Sequence, residues 1–114
     1  MALIYKITPR PEWESAQAAG VFRGAPVDLA DGFIHFSTAE QVQETADKHF
    51  AGRTDLLLAA FEAEALGEAL RWEPSRGGQL FPHLYAPLPT SAALWAKPMP
   101  LGASGKHDLS ELLS

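Results

Sequence analysis

The residue types that can transfer protons or bind anions concentrate in two short stretches of the sequence, residues 31–38 and 72–85. Imidazole, carboxylate, hydroxyl and phenol groups occur together there, in His35, Ser37, Thr38, Glu73, His83 and Tyr85. Imidazole and carboxylate groups act as general acids and bases, and hydroxyl and phenol groups form hydrogen bonds with ligands. What these groups can do depends on the elements that position them.

His35 lies in a predicted strand over residues 33–36 that runs directly into a helix. Side chains alternate along a strand, so Ile34 and Phe36 belong to the core while His35 and Ser37 share the other face. A helix N-terminus offers unpaired N–H groups to a phosphate or carboxylate. The pattern therefore indicates that His35 and Ser37 can hold a phosphate or carboxylate group of a ligand. The alternative is a histidine hydrogen-bonded within a packed sheet, with Ser37 serving only as a helix cap.

The second stretch supplies a carboxylate, an imidazole and a phenol. In an extended backbone His83 and Tyr85 point to the same side, and Glu73 lies on the less apolar face of its own strand. Their convergence would provide an acid/base pair and a phenol for stacking. We expect Glu73 to contact His83, Tyr85 or a backbone donor, and His35 and His83 to share one pocket. The alternative makes Glu73 a solvated strand end and Tyr85 a core aromatic.

Lys6 lies on the same side of the first predicted strand, residues 3–7, as Ile4 and Thr8. That position is typical of a solvated lysine at a strand edge, and the alternative is a phosphate ligand. We assign catalytic roles to His35, Glu73 and His83. The assigned ligand-binding residues are Lys6, Ser37, Thr38 and Tyr85.

Metal and nucleophile motifs are missing from the sequence. The four histidines, at positions 35, 49, 83 and 107, form no i, i+4 pair, and the chain has no cysteine. A metal site would have to be assembled from distant segments. No serine lies in a G-x-S-x-G turn.

The predicted elements alternate at first and are then mainly strands, which indicates an α+β fold. We predict a single domain with a mixed, mainly antiparallel sheet and two main helices. The predicted strands are 3–7, 33–36, 55–61, 70–73, 80–85 and 93–96. The predicted helices are 12–19 and 38–50. Gly20 ends the first helix, and a Ser37–Glu40 capping box begins the second. Strand 55–61 has no polar alternation and is predicted to be central. Residues 21–30 are predicted to be irregular.

Composition excludes several classes of function. The chain has 114 residues, 46% hydrophobic and 20% charged, which is enough for one core. Its net charge is −5 and its basic residues are scattered, so binding to duplex nucleic acid is not expected. The longest apolar run, residues 56–61, is too short to span a membrane, and no signal peptide is visible, so we expect a cytoplasmic protein. The sequence leaves the oligomeric state open.

Four segments, residues 4–7, 13–14, 31–38 and 81–85, resemble the family known as domain of unknown function 952, over residues 2–95. The resemblance implies the fold of the ADP-ribosyltransferases, including the RNA 2′-phosphotransferases, which use NAD. The segment Ile34-His35-Phe36-Ser37 is similar to the Val-His-Leu-Ser segment of the phosphotransferases, where the histidine helps to bind the ligand. It is also similar to the Ile-Tyr-Phe-Ala segment of poly-ADP-ribosyl transferases, where the tyrosine stacks on nicotinamide.

The resemblance implies an ADP-ribosyltransferase-like domain over residues 1–100. From the sequence, residues 101–114 are predicted to be a C-terminal tail, in which residues 108–113 either form a short helix or fray. Those transferases carry a His-Gly-Ser/Thr motif on the first strand, where this chain has Tyr5-Lys6-Ile7-Thr8. Our leading hypothesis is a pocket that binds a nucleotide or another phosphorylated small molecule, with NAD as the candidate cofactor and transferase activity left open. The alternatives are a non-catalytic interaction domain and a small hydrolase that uses Glu73 and His83.

Overall fold

The chain folds into nine strands and four α-helices over the residues described by a computed structural model, 2–102 and 104–113. The strands are Leu3–Pro9 (β1), Val21–Phe22 (β2), Ile34–His35 (β3), Ser37–Thr38 (β4), Leu56–Glu62 (β5), Leu70–Ser75 (β6), Gln79–Leu84 (β7), Leu88–Pro89 (β8) and Trp95–Pro98 (β9). The α-helices are Arg10–Ala19 (α1), Pro26–Asp31 (α2), Ala39–His49 (α3) and Ser110–Leu113 (α4), and 3₁₀ turns occupy Ala63–Ala69, Arg76–Gly78 and Thr90–Ala92. The pairings among these strands are antiparallel, so the predicted α+β class is confirmed.

The four-stranded sheet has the order β4-β1-β5-β9. β1 and β5 pair along their whole length, from Leu3 opposite Glu62 to Pro9 opposite Leu56. The side chains of β5 from Leu56 to Phe61 are all buried, on both faces of the sheet. The continuous apolar run therefore predicts a central strand correctly, because a strand covered on both sides needs no polar alternation.

Each face of this sheet carries its own core. Ile4 packs on one face with Trp13 of α1 and Phe36, whereas its neighbour Tyr5 packs on the other face with Val42 of α3. Successive side chains of a strand point to opposite faces, so β1 contributes to both cores. The two longer helices, α1 and α3, are the two main helices that the sequence predicts.

A second sheet, of order β3-β7-β6, holds the two candidate segments together. In its register His35 lies directly opposite His83, and Ile34 lies opposite Leu84. β6 pairs with the other edge of β7, which places Glu73 opposite Phe81. The long-range pairing of β3 with β7 thus brings together imidazoles that are far apart in the sequence.

The prediction of irregular structure for residues 21–30 is wrong. β2 pairs there with β8, and the six-residue helix α2 follows. Pro26 lies in the first turn of α2, where the backbone N–H that proline lacks would have no partner within the helix. The Asp28 carboxylate accepts a hydrogen bond from the Ala25 N–H at 2.8 Å. Gly32 ends the helix with a φ of 87°, the left-handed conformation that glycine adopts readily.

The predicted capping box at the start of α3 is wrong by one residue. The Thr38 N–H donates to Gln41 Oε1 at 3.0 Å, so Thr38 is the residue that precedes the helix. Ser37 is held in β4 opposite Tyr5, and its buried hydroxyl lies 3.0 Å from that of Thr45. The pairing of β4 with β1 keeps Ser37 extended, and the helix therefore begins after Thr38.

The C-terminal segment packs against α3 and ends in the short helix α4. Leu109 is fully buried in the core beneath α3, and Gln43 of that helix donates to the His107 carbonyl at 2.7 Å. His107 is also buried, with Nε2 2.8 Å from the carbonyl oxygen of Arg53. No helix in the described part of the chain is long and apolar enough to cross a membrane.

Candidate functional site

The His35 ring is anchored by Asp28 of α2. Its Nδ1 lies 2.6 Å from Asp28 Oδ1, and the His35 backbone N–H donates to the same oxygen at 3.1 Å. A carboxylate can only accept, so Nδ1 carries a proton and donates it. Asp28 therefore sets both the orientation of the ring and the nitrogen that holds the proton.

The Asp28 carboxylate is itself fully buried and is neutralised by Lys6. Lys6 Nζ lies 2.8 Å from Asp28 Oδ2 and 3.0 Å from Oδ1. Burial acts to raise the pKa of Asp28, but the hydrogen bond from His35 and the charge of Lys6 outweigh it and lower that pKa to about 2. Asp28 is therefore an anion throughout the neutral range.

The interpretation of Lys6 as a solvated edge lysine is wrong. Only 4% of Lys6 is exposed, because α2 lies over this part of β1 and supplies the Asp28 carboxylate. Burial lowers the pKa of Lys6, and the attraction of Asp28 opposes that effect. With Nζ bound to Asp28, Lys6 supports the anchor of His35.

The second nitrogen of His35 faces another carboxylate. Nε2 lies 2.9 Å from Asp31 Oδ2, at the C-terminal end of α2. The ring of His35 therefore lies between two carboxylates, with Asp28 at Nδ1 and Asp31 at Nε2. The Asp31 side chain is 48% exposed, in contrast to the buried Asp28.

Glu73, His83 and Tyr85 form a second hydrogen-bonded group, with the contacts predicted from the sequence. Glu73 Oε1 accepts from the Tyr85 hydroxyl at 2.7 Å and lies 2.8 Å from His83 Nδ1. The hydrogen bonds from Tyr85 and His83 lower the pKa of Glu73. The same bond to Glu73 raises the pKa of Tyr85, because the carboxylate stabilises the protonated phenol.

Phe33 joins the two groups into one aromatic cluster. Its ring centroid lies 4.6 Å from that of His35, 4.2 Å from that of His83 and 5.2 Å from that of Tyr85. The two imidazoles are 5.5 Å apart, in an edge-to-face arrangement. The site therefore contains two histidines on neighbouring strands, each held through Nδ1 by a carboxylate.

A cleft of about 600 Å³ opens beside this cluster. Its wall includes residues of β1, α2 and α3, and its charged and imidazole side chains are Lys6, Glu12, Asp31, His35, His49 and Arg53. Ser37 also lines the cleft, although its hydroxyl contacts Thr45. The volume is in the range of small-ligand sites.

The remaining predicted site residues lie outside this wall. Tyr85 and Phe33 line a neighbouring groove of about 350 Å³, whereas Glu73 and His83 are absent from the described lining of both. Thr38 precedes α3, with its N–H bound to Gln41. Of the three residues assigned catalytic roles, His35 is therefore the one that lies in the described wall of the cleft.

Asp28, Asp31 and Phe33 are functional candidates that the sequence analysis gave no role. Asp28 had a detectable signal, since a proline followed two residues later by an aspartate is typical of a helix start. No sequence pattern indicated that Asp28 contacts Lys6, which lies 22 residues away in the chain. Within residues 2–102 and 104–113, no group of three or more acidic or histidine side chains is arranged to hold a metal ion.

The fold and the site define a small α+β domain with two carboxylate-anchored histidines on adjacent antiparallel strands. The chain belongs to the family described as Protein of unknown function (DUF952), whose model matches residues 7–96. No curated protein matches.

Three solved structures of one protein, CC0527 from Caulobacter crescentus, are similar to this chain. The crystal structure has a TM-score of 0.95 at 55% identity and covers 97% of both chains. The crystal structure of a double mutant has a TM-score of 0.94 at 53% identity, again over 97% of both chains. The solution NMR structure has a TM-score of 0.90 at 54% identity, over 100% of this chain and 98% of that one.

Proposed function

We propose that the cleft beside His35 binds a small phosphorylated ligand of the nucleotide class. The observation that carries this proposal is the carboxylate-anchored imidazole of His35 in the wall of a cleft of about 600 Å³, with the anchored ring of His83 5.5 Å from it between ring centroids. Anchored rings present donors at defined positions, which lowers the entropic cost of binding.

The charges around His35 support an anionic ligand. Lys6 and Asp28 neutralise each other in the interior, and Nε2 of His35 is the ring nitrogen at the cleft wall, next to the exposed Asp31. Arg53 contributes a cation to the wall. Local donors outweigh the chain's net negative charge, because salt screens exposed charges beyond about 8–10 Å.

The sequence resemblance to the ADP-ribosyltransferases makes NAD and ADP-ribose the first ligands to test. His35 occupies the position that matches the ligand-binding histidine of the phosphotransferases, and Phe33 and Tyr85 offer rings for stacking. The His-Gly-Ser/Thr motif is missing at Tyr5-Lys6-Ile7-Thr8. The proposal is therefore nucleotide binding, without transfer.

NMR titration of the labelled protein with NAD and ADP-ribose tests this proposal. We expect shifts of the amides of residues 32–40 and 81–86 that saturate with ligand and disappear in His35→Ala. His49→Ala is the matched control, because it removes an imidazole from the α3 side of the same cleft. Binding should survive in the control. The absence of any perturbation at millimolar ligand would reject the nucleotide proposal and favour the interaction-domain alternative.

A second candidate function is hydrolysis, which the hydrogen bond between Glu73 and His83 favours. With Nδ1–H donating to Glu73, Nε2 of His83 is the ring nitrogen left to exchange a proton with a substrate or water. A chromogenic phosphodiester tests this role. Turnover should fall by about two orders of magnitude or more in His83→Ala. Equal rates in the wild-type protein and in His83→Ala would exclude the role.

A further inference from the structure

Asp31 holds a position that a bound anion could take. Its Oδ2 atom lies 2.9 Å from His35 Nε2, but the side chain remains 48% exposed, so it can move into solvent at little cost. It is also the last residue of α2, where the helix carbonyl groups disfavour a negative charge. The contact with His35 offsets the unfavourable position of this negative charge at the end of α2.

Glu12 presents an unsatisfied acceptor to the same cleft. Its Oε2 atom is buried and has no hydrogen-bond partner among the described residues, although Glu12 lines the cleft. A buried carboxylate oxygen without a donor is costly and is normally satisfied by protein, water or a ligand. A hydroxyl group entering the cleft would supply the missing donor.

We propose that the ligand is a sugar phosphate or a nucleotide containing one, whose phosphate displaces Asp31 from His35 and whose hydroxyl group donates to Glu12. This inference rests on the proposed function and narrows it to a ligand with both groups. Asp31 is then an internal competitor that the phosphate must replace. Asp28 keeps the His35 ring in place during the exchange, because it binds the other nitrogen.

Two matched substitutions separate this arrangement from a simple charge effect. Asp31→Asn and Glu12→Gln each remove one negative charge from the same cleft, so electrostatics alone would make both variants bind anions more tightly. The proposal requires opposite effects for ribose 5-phosphate. Asp31→Asn removes the competing charge and should tighten binding at least fivefold. Glu12→Gln exchanges one carboxylate oxygen for an NH₂ group that cannot accept, leaves the other as a weaker neutral acceptor, and should weaken binding at least fivefold.

Inorganic phosphate is the companion probe, because it has the anion without the sugar. Its binding should also tighten at least fivefold in Asp31→Asn and should be unchanged or slightly tighter in Glu12→Gln. Affinities are measured by NMR titration at constant ionic strength, with the amide spectrum of each variant used to verify the fold.

The outcomes distinguish the two proposals. If ribose 5-phosphate tightens equally in both variants, or fails to tighten in Asp31→Asn, the displacement of Asp31 is rejected while the binding site stands. If Glu12→Gln leaves ribose 5-phosphate unaffected, the hydroxyl contact is rejected. If neither probe binds to any form of the protein at millimolar concentration, this inference is rejected, and the proposed function is decided separately by the titration with NAD and ADP-ribose.

Discussion

Asp28 links three parts of the chain through one buried carboxylate, since it binds Lys6 of β1, the Ala25 N–H and the ring of His35. Carboxylates that orient a histidine are usually sought next to it in the sequence or on the next strand. Here the carboxylate of Asp28 comes from the short helix α2, and Lys6 of β1 neutralises its charge. The strand pattern therefore identifies His35 as a candidate, but it does not identify Asp28 as the carboxylate that binds it.

Asp28→Asn should destabilise the protein by roughly 3–5 kcal/mol, because it leaves the buried charge of Lys6 without its partner. Urea unfolding at neutral pH measures the effect. Asp31→Asn is the matched control: it also removes a carboxylate from His35, but from an exposed position, and should cost less than about 1 kcal/mol. Equal losses would mean that the Lys6 pair contributes little.

The pH dependence of the same pair has a definite sign. The pKa of Asp28 is about 2 in the folded protein, below its usual 3.8, so the unfolded chain binds the proton first. The stabilisation is therefore complete above about pH 4 and is lost as the pH falls towards 2. Unfolding free energies measured between pH 6 and pH 2 should converge for the wild-type protein and Asp28→Asn. A constant difference over this range would contradict the assignment.

Glu73→Gln should lower the pKa of Tyr85, because the hydrogen bond to the Glu73 carboxylate is the main cause of its elevation. The chain has only two tyrosines, and Tyr5 is buried, so the absorbance of ionised phenol resolves the exposed Tyr85. Glu64→Gln, which removes an exposed carboxylate bound to the Ala2 N–H, is the control and should leave the titration unchanged. An unaltered Tyr85 titration in Glu73→Gln would mean that the bond is not formed in solution.

Among the secondary-structure elements, α2 has the largest effect on the site. In six residues it supplies the buried Asp28 and the exposed Asp31, which contact the two nitrogens of one ring. Its approach depends on Gly24, whose φ is +127°. A Cβ atom at Gly24 would lie 2.8 Å from the Cβ of Asp28, closer than side chains normally approach.

Gly24→Ala should therefore displace Asp28 and loosen His35. We expect a loss of roughly 2–3 kcal/mol or more, from the left-handed backbone and the steric clash together. Gly20→Ala separates the two causes: Gly20 also has a positive φ, of 83°, but nothing lies within 4 Å of its added Cβ, so only the backbone cost of roughly 1–2 kcal/mol applies. Amide shifts at residues 28 and 35 should change in Gly24→Ala alone. Equal effects in both variants would contradict the steric argument.

Over the whole molecule, the C-terminal segment closes the core beneath α3. Leu109 is fully buried among Val42, Ala46 and Leu58, and His107 binds the Arg53 carbonyl next to the cleft. The residues after position 100 were predicted as a tail with a short helix. In the structure Leu109 and His107 of this segment are part of the packing that holds α3, and α3 forms one wall of the cleft.

Leu109→Ala should cost about 2–5 kcal/mol, the usual range for a large cavity in a core. Leu94→Ala is the matched control, because Leu94 is 51% exposed and its truncation should cost less than about 1 kcal/mol. Chemical denaturation of both variants provides the comparison. A loss for Leu109→Ala as small as that of the control would mean that the segment is not docked in solution.

Local patterns in the chain were sufficient to predict much of the architecture. The unbroken apolar run predicted the central position of β5, alternation placed Ile34 and Phe36 in the core opposite His35, and Gly20 marked the end of α1. These features are encoded in neighbouring residues, because side-chain alternation and helix termination depend on the local backbone. The same reasoning brought Glu73, His83 and Tyr85 together as candidates.

Tertiary structure alone decided how those candidates are held. The burial of Lys6 beneath α2, the bond from Asp28 to His35 and the selection of Thr38 over Ser37 at the start of α3 all depend on elements that meet across the fold. A residue type reports which contacts it can make, but its partner is chosen by strand register and helix placement. Those are set by the packing of the whole chain, which is why the chemistry of His35 was recognisable in the sequence and its two carboxylate partners were not.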